Sequence, residues 1–189
     1  MVETASSVAG ALAWSGSDRL LAGDRRQRIG PRDARRKKTG PNAIDRGKTG
    51  SKHHLISDAN GIPLAAILTG ANRHDSTQLI PLLKAIPAIG GKPGAPRRTP
   101  KCLLGDRAYD CEKYRRHLRA RGIEPRLAKR CTEHGSGLGQ QRWPIERLIS
   151  WLHQFKRLRV RSEQRDDIHE ALMSLGCAII CWRKIKEFF

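Results

Sequence analysis

The sequence predicts an α/β fold with a mixed sheet flanked by helices, and three observations carry that reading. Two short apolar runs, residues 54–58 and 63–68, flank the turn Ala59-Asn60-Gly61 and read as a hairpin. Cys102-Leu103-Leu104 is continuously apolar, as in a strand buried on both faces. Two C-terminal stretches repeat apolar residues at helical spacing. The resulting order is hairpin, helix, strand, helix, strand, helix, helix.

Each element has a local reason. Residues 1–51 are rich in Gly, Ala, Ser and Arg, with one apolar patch at Leu20-Leu21-Ala22 and a basic run at Arg35-Arg36-Lys37-Lys38. No periodicity lasts there, so residues 1–37 read as a disordered basic arm and 38–189 as the folded domain. After the hairpin, Asp75 or Ser76 caps a helix carrying Leu79, Leu82, Leu83 and Ile86. Residues 90–100 form a basic Gly/Pro loop, whose Lys92, Arg97 and Arg98 read as exposed. A helix over 111–121 stops at Gly122, and 123–128 reads as one more strand. A polar, Gly-rich loop fills 130–141. In the next helix Ile145, Leu148, Ile149, Leu152 and Phe155 share one face, with Glu146, Ser150, His153 and Arg157 on another. In the last helix Ile168, Leu172, Leu175, Ile179 and Trp182 form an apolar stripe.

Charge narrows the function. Lys and Arg total 37 against 18 acids, a net charge of +19. Such an excess opposes compaction and calls for a polyanion, nucleic acid first, because neutralised phosphates release counterions. No basic segment precedes the small residues at the start, so no export signal is read there. The run 171–182 is too short to span a bilayer. Five cysteines without repeating pairs fit a reducing cytoplasm. Zinc readings of Cys131 with His134, or of Cys177 with Cys181, lack a second ligand pair at finger-like spacing.

Two acids stand where chemistry is done. Asp106 follows Gly105 at the end of a buried strand, where sites in open α/β sheets gather; a turn or cap aspartate is the plainer alternative. Glu146 lies beside Trp143 and Ile145 at an apolar helix start, where an acid also simply complements the helix dipole. Carboxylates brought from distant segments are what two-metal phosphoryl transfer requires.

Several linked blocks resemble the DDE transposases of the IS-four/IS-five superfamily. The basic stretch from Lys38-Thr39-Gly40-Pro41 to Ser51-Lys52-His53-His54 is similar to the family's entry segment, as are Gly61-Ile62-Pro63-Leu64 and Ala71-Asn72-Arg73-His74-Asp75. Gly105-Asp106-Arg107-Ala108-Tyr109-Asp110 resembles the block of the second catalytic aspartate. Arg142-Trp143-Pro144-Ile145-Glu146-Arg147 resembles that of the glutamate, and Trp151 to Arg161 its basic continuation. The resemblance runs from residue 38 to about 182.

It implies a ribonuclease-H-like fold holding Mg2+ or Mn2+ between two Asp and one Glu. Asp106 is then the second acid, Glu146 the third, and Arg142 the arginine four residues before it. His153 stands where members often carry Lys. The first acid belongs to an Asp-Ser block on the first strand, about a dozen residues before Lys38-Thr39-Gly40-Pro41. No such block is present, and Asp24 is closest in spacing. The sequence therefore predicts a sheet lacking a proper first strand, a frame-shifted or decayed N-terminal part, and an isolated chain that is inactive. Lys48, Lys52, His53 and His54 are expected near the scissile DNA strand. Arg157, Arg159, Arg161 and Arg165 are expected on duplex phosphates. The implied protein is a homodimer on double-stranded DNA in the bacterial cytoplasm, at the nucleoid when bound, cutting and joining element ends. A catalytically dead DNA-binding remnant and a nuclease of the same fold remain alternatives.

Overall fold

A computed structural model of the protein describes residues 38–41, 49–90, 95–131 and 143–187, together with the backbone of 19–29. Seven strands form one mixed sheet: β1 (Arg19–Ile29), β2 (Gly40–Pro41), β3 (Thr49–Ser57), β4 (Pro63–Gly70), β5 (Cys102–Gly105), β6 (Glu124–Leu127) and β7 (Val160–Arg161). The helices are α1 (Leu79–Lys84), α2 (Glu112–Arg119), α3 (Trp143–Gln154), α4 (Lys156–Arg159) and α5 (Asp166–Lys186). Single 3-10 turns at Asp75–Gln78 and Arg107–Tyr109 lie against each other.

The hairpin is present as read, and β3 and β4 pair antiparallel from Ser51↔Gly70 to Ser57↔Pro63. Asp58 closes its turn by accepting the N–H of Asn60 at 2.9 Å and of Ile62 at 2.8 Å. Gly61 has φ +82°, and a Cβ there would lie 3.1 Å from the Pro144 carbonyl oxygen. The turn needs glycine for both reasons. It also lets α3 start directly over the hairpin.

The expectation of a missing first strand is corrected. β1 lies at the centre of the sheet, antiparallel to β3 from Leu21↔Ser57 to Arg28↔Gly50. It runs parallel to β5 from Arg19↔Cys102 to Ala22↔Gly105, and to β7 at Arg28↔Val160 and Ile29↔Arg161. Residues 19–29 are therefore not part of an irregular arm. Their strand state comes from backbone pairing on two edges, which overrides a weak local pattern. The rest of 1–37 lies outside the described residues.

The sheet order is β4-β3-β1-β5-β6, with β2 also pairing β3 and β7 also pairing β1. β1, β5 and β6 are parallel, whereas β3 and β4 alternate. Neighbouring residues alternate between faces. On one face Ile56 and Leu103 pack with Leu79, Leu82 and Leu83 of α1 and Leu118 of α2. On the other, Leu55 and Leu104 pack with Ile145, Leu148, Ile149 and Leu152 of α3, Leu158 of α4, and Met173 and Ile180 of α5. Each fully buried leucine contributes about 1.5–3 kcal/mol, so the apolar run at 103–104 anchors both layers. A Cβ on Gly176 would come within 2.9 Å of Leu158 and 3.1 Å of Leu152, so the glycine lets α5 close onto α3 and α4.

Candidate active site and basic residues

Asp106 leaves β5 in extended conformation, φ −71° and ψ 169°, and its carboxylate accepts the N–H of Arg107. The plainer reading of this residue, a cap, is thus part of the structure. Cys102 and Leu104 of β5 pack on the α3 side, and Asp106, just past the end of the strand, is half-buried. Glu146 stands exposed in the first turn of α3, between Ile145, which is buried against the sheet, and Arg147. The guanidinium of Arg147 donates to the Asn60 carbonyl at 3.3 Å and lies 4.4 Å and 4.8 Å from the ring centres of Trp143 and Trp151. This contact ties the start of α3 to the hairpin turn. α3 then runs across β1 and β3.

Asp24 sits on β1 opposite His54, two residues past Ala22, the partner of Gly105. Its backbone is therefore on the strand adjoining β5, one position beyond the level of Asp106. Arg142 and Lys48 lie outside the described residues. Among the described residues no three His, Cys, Asp or Glu side chains are grouped to hold a metal ion.

Lys52, His53 and His54, expected near the scissile strand, and Arg161, expected on duplex phosphates, are enclosed by the fold. Lys52 is 2% exposed, ion-paired with Asp75, and donates to the Arg73 carbonyl at 3.1 Å. His54 meets the Thr69 hydroxyl at 2.8 Å. His53 and His169 stack, with Nε2 atoms 2.9 Å apart, and His169 Nδ1 reaches Glu163 at 3.1 Å. Arg161 donates to the Ser51 hydroxyl at 2.7 Å and to the Glu163 carbonyl at 3.2 Å. A buried charge survives only when paired. Asp75, Ser51 and His169 stand 23, 110 and 116 residues from Lys52, Arg161 and His53. Charge spacing in the sequence carries no sign of such partners.

The electrostatics agree with burial. Desolvation, followed by the neighbouring His169, His153 and His54, holds the His53 pKa at about 3. Desolvation is also the main cause of the lowered His54 value, about 4. Both rings are neutral near pH 7. Burial works to raise Glu163, but its bonds to His169 and Ser162 prevail and hold it below the usual range.

Of the other expected DNA contacts, Arg157, Arg159 and Arg165 are exposed. Arg157 lies 3.6 Å from Glu163, and Arg165 pairs with Asp167. A cleft of about 410 Å³ that sequence reasoning missed opens beside the Asp106 turn, lined by Asp110, Arg115, Arg119, Lys129 and Arg130 among others. Arg115 is held by Asp110 at 2.7 Å, and Arg130 donates to the Arg107 carbonyl at 3.1 Å. Cys177 and Cys181 are free, and burial pushes the Cys177 thiol up to about 12, which disfavours the thiolate that zinc would need. Cys131 is also free and exposed, and His134 lies outside the described residues.

The Transposase DDE domain family matches residues 24–181. Over 175 residues the chain is 57% identical to a protein described as a transposase for insertion sequence element IS402 of Burkholderia cepacia, covering 93% of this chain and 83% of that one. The chain belongs to the DDE transposase domain family. The match of this transposase domain begins at Asp24 and so includes most of β1. Among its described residues no helix is long and apolar enough to cross a membrane.

Proposed function

We propose that this chain is the catalytic domain of an insertion-sequence DNA transposase of the IS-four/IS-five type, cutting and rejoining phosphodiesters at the element's ends. One observation carries the reading: the register that sets the backbone of Asp24 on β1, the strand beside the one from which Asp106 exits. The strand order β4-β3-β1-β5-β6, antiparallel on one side of β1 and parallel on the other, supports a ribonuclease-H-like assignment.

Asp106, Glu146 and Asp24 are the residues that would hold Mg2+ or Mn2+. They are hard oxygen donors of the kind those ions prefer. When bound, such ions activate the attacking oxygen and neutralise the leaving one. The protein's own part is positioning. The β5 strand fixes Asp106, and the Arg147–Asn60 contact and the Trp143 and Trp151 rings fix the first turn of α3. Arg142, Lys48, Arg157, Arg159 and Arg165 would steer and hold phosphates without reading sequence. The domain would work as a homodimer on double-stranded DNA in the bacterial cytoplasm.

A strand-cleavage assay on terminal-repeat DNA with Mg2+ tests this. Cleavage by the chain, abolished in Asp106→Asn, Glu146→Gln and Asp24→Asn, supports the reading. The lack of an Asp-Ser block before Lys38-Thr39-Gly40-Pro41 favours the second reading, a DNA-binding remnant. Calorimetric titration with Mn2+ separates the two. Binding that disappears in Asp106→Ala identifies the enzyme, and DNA affinity without metal binding identifies the remnant.

A further inference from the structure

The cleft of about 410 Å³ beside the Asp106 turn has no part in the catalytic assignment. One wall is a single face of α2, where Cys111, Arg115 and Arg119 recur at every fourth residue. The other wall is Lys129-Arg130, the segment that leaves β6. Four cations from two stretches of chain meet at one opening, with the carboxylates of Asp110 and Glu112 among them. Both carboxylates are already engaged. Asp110 Oδ1 accepts Nε and Nη2 of Arg115 at 3.0 and 2.7 Å, and Oδ2 accepts the Arg130 N–H at 2.7 Å. Glu112 pairs with Arg119 at 3.0 Å, an exposed pair of the kind that is worth little.

Arg115 is the telling residue. It is 8% exposed, and its Nη2 also donates to the Leu127 carbonyl at 2.8 Å. Its Nη1 has no partner among the described residues. Buried donors are nearly always paired, so a guanidinium lining a cleft with one nitrogen unused calls for an acceptor from outside. α2 starts at the same place. Its N-cap residue, Cys111, makes no side-chain capping bond, which leaves first-turn N–H groups in need of acceptors. An uncapped helix start beside a guanidinium fork suits phosphate oxygens.

We infer that this cleft holds backbone phosphates of a DNA duplex, as a second grip apart from the basic residues of α4 and β7. Its position argues for DNA over a small anion. Arg130 donates to the carbonyls of Arg107 at 3.1 Å and Ala108 at 3.4 Å, so the cleft adjoins the turn that Asp106 begins. β7 pairs with Arg28 and Ile29, roughly 20 Å along β1 from Ala22, which is level with Gly105. Basic groups therefore stand both at the Asp106 exit and well away from it, a separation that a long polyanion spans and a free phosphate does not. Lys113, Arg116 and Arg121, all exposed, continue the positive charge over α2 and its end. Such contacts hold the duplex without reading its sequence. The inference rests on the reading of the chain as a DNA-acting domain but uses none of its metal chemistry, so it is tested without metal.

Arg115 holds Asp110 and the Leu127 carbonyl, so its variants would mix folding with binding; the exposed Arg119 and Lys129 serve instead. Fluorescence anisotropy of the full chain with a short duplex of arbitrary sequence, in EDTA and over a range of salt, gives affinity and salt slope. Arg119→Gln and Lys129→Gln should each lower the slope by about 0.9 and the affinity severalfold. Arg183→Gln, the same loss of charge near the end of α5, should leave the slope unchanged. Cys111 reports the location directly, because it is half-buried in the cleft wall. The duplex should slow its alkylation by N-ethylmaleimide severalfold, read by mass spectrometry, with Cys177 and Cys181 unaffected and inorganic phosphate protecting far less. A chain that binds duplex but leaves Cys111 unprotected, or whose slope falls in neither variant or equally in Arg183→Gln, overturns the inference and leaves the DNA-acting reading standing. Protection by inorganic phosphate equal to that by duplex overturns DNA as the occupant. A chain that binds no duplex removes both, whereas failed cleavage with Mg2+ beside intact protection removes the catalytic reading alone.

Discussion

Asp75→Ala separates two roles for Lys52, a structural cation and a DNA-binding one. In the folded chain the Lys52 ammonium is buried, and its charge is met by Asp75 and the Arg73 carbonyl. Removing the carboxylate takes the opposite charge away from a buried ammonium, which costs about 3–5 kcal/mol. Against a total stability of about 5–15 kcal/mol this is roughly a fifth or more. With a urea m-value of about 2 kcal/mol/M, the unfolding midpoint should fall by roughly 2 M. Replacing both partners by apolar side chains, Lys52→Met with Asp75→Leu, should recover most of the loss, since it removes both desolvation penalties. The assay is a urea double-mutant cycle followed by tryptophan fluorescence. The folded double variant then goes into DNA binding at several salt concentrations. If the Lys52 ammonium neutralised a phosphate, its removal would lower the salt slope by about 0.9; a structural lysine leaves the slope unchanged. Destabilisation below about 1 kcal/mol in Asp75→Ala, or a reduced slope in the double variant, would refute the buried-pair account.

The histidines give a pH prediction. Their folded pKa values, about 3 for His53 and about 4 for His54, lie below the unfolded 6.5. The unfolded chain therefore binds more protons, and stability is lost as pH falls below 6.5. From pH 7 to 5 the loss should be about 2 kcal/mol per histidine, and a flat urea midpoint over that range would contradict it. Gly61→Ala forces an alanine to φ +82° and crowds the Pro144 carbonyl, so chemical denaturation should show a loss of at least about 1–2 kcal/mol. Iodoacetamide at pH 8 followed by mass spectrometry should label exposed Cys131 well before Cys177, whose thiol is held neutral by burial.

Leu103 and Leu104 announce a strand buried on both faces, which stands where the sequence puts it; the Ile168-to-Trp182 stripe announces the last helix, but that helix buries His169, Met173, Gly176 and Ile180 and leaves Ile168, Leu175 and Trp182 exposed. β1 is not legible in the same way. Arg25-Arg26-Gln27-Arg28 carries no alternation, and its strand state comes from β3, β5 and β7, which lie far along the chain. The burial of Lys52, His53, His54 and Arg161 escapes the sequence for a related reason. Charged residues are seldom buried, and only the fold brings Asp75, His169, Glu163 and Ser51 to them. At the candidate site the positions of Asp106 and Glu146, at a strand exit and in a first helical turn, are legible. That the backbone of Asp24 lies on the strand next to β5 is not, because it depends on strand register.

The central place of β1 bears on how the chain is made. Once synthesised, β1 can pair with β3 soon afterwards, but Arg19 finds its neighbour only at Cys102. At roughly 5–20 residues per second this edge waits several seconds without hydrogen-bonded company. An unpaired strand edge is a template for other nascent chains. Four arginines, Arg19, Arg25, Arg26 and Arg28, belong to this strand, and like charges along an open edge oppose edge-to-edge pairing.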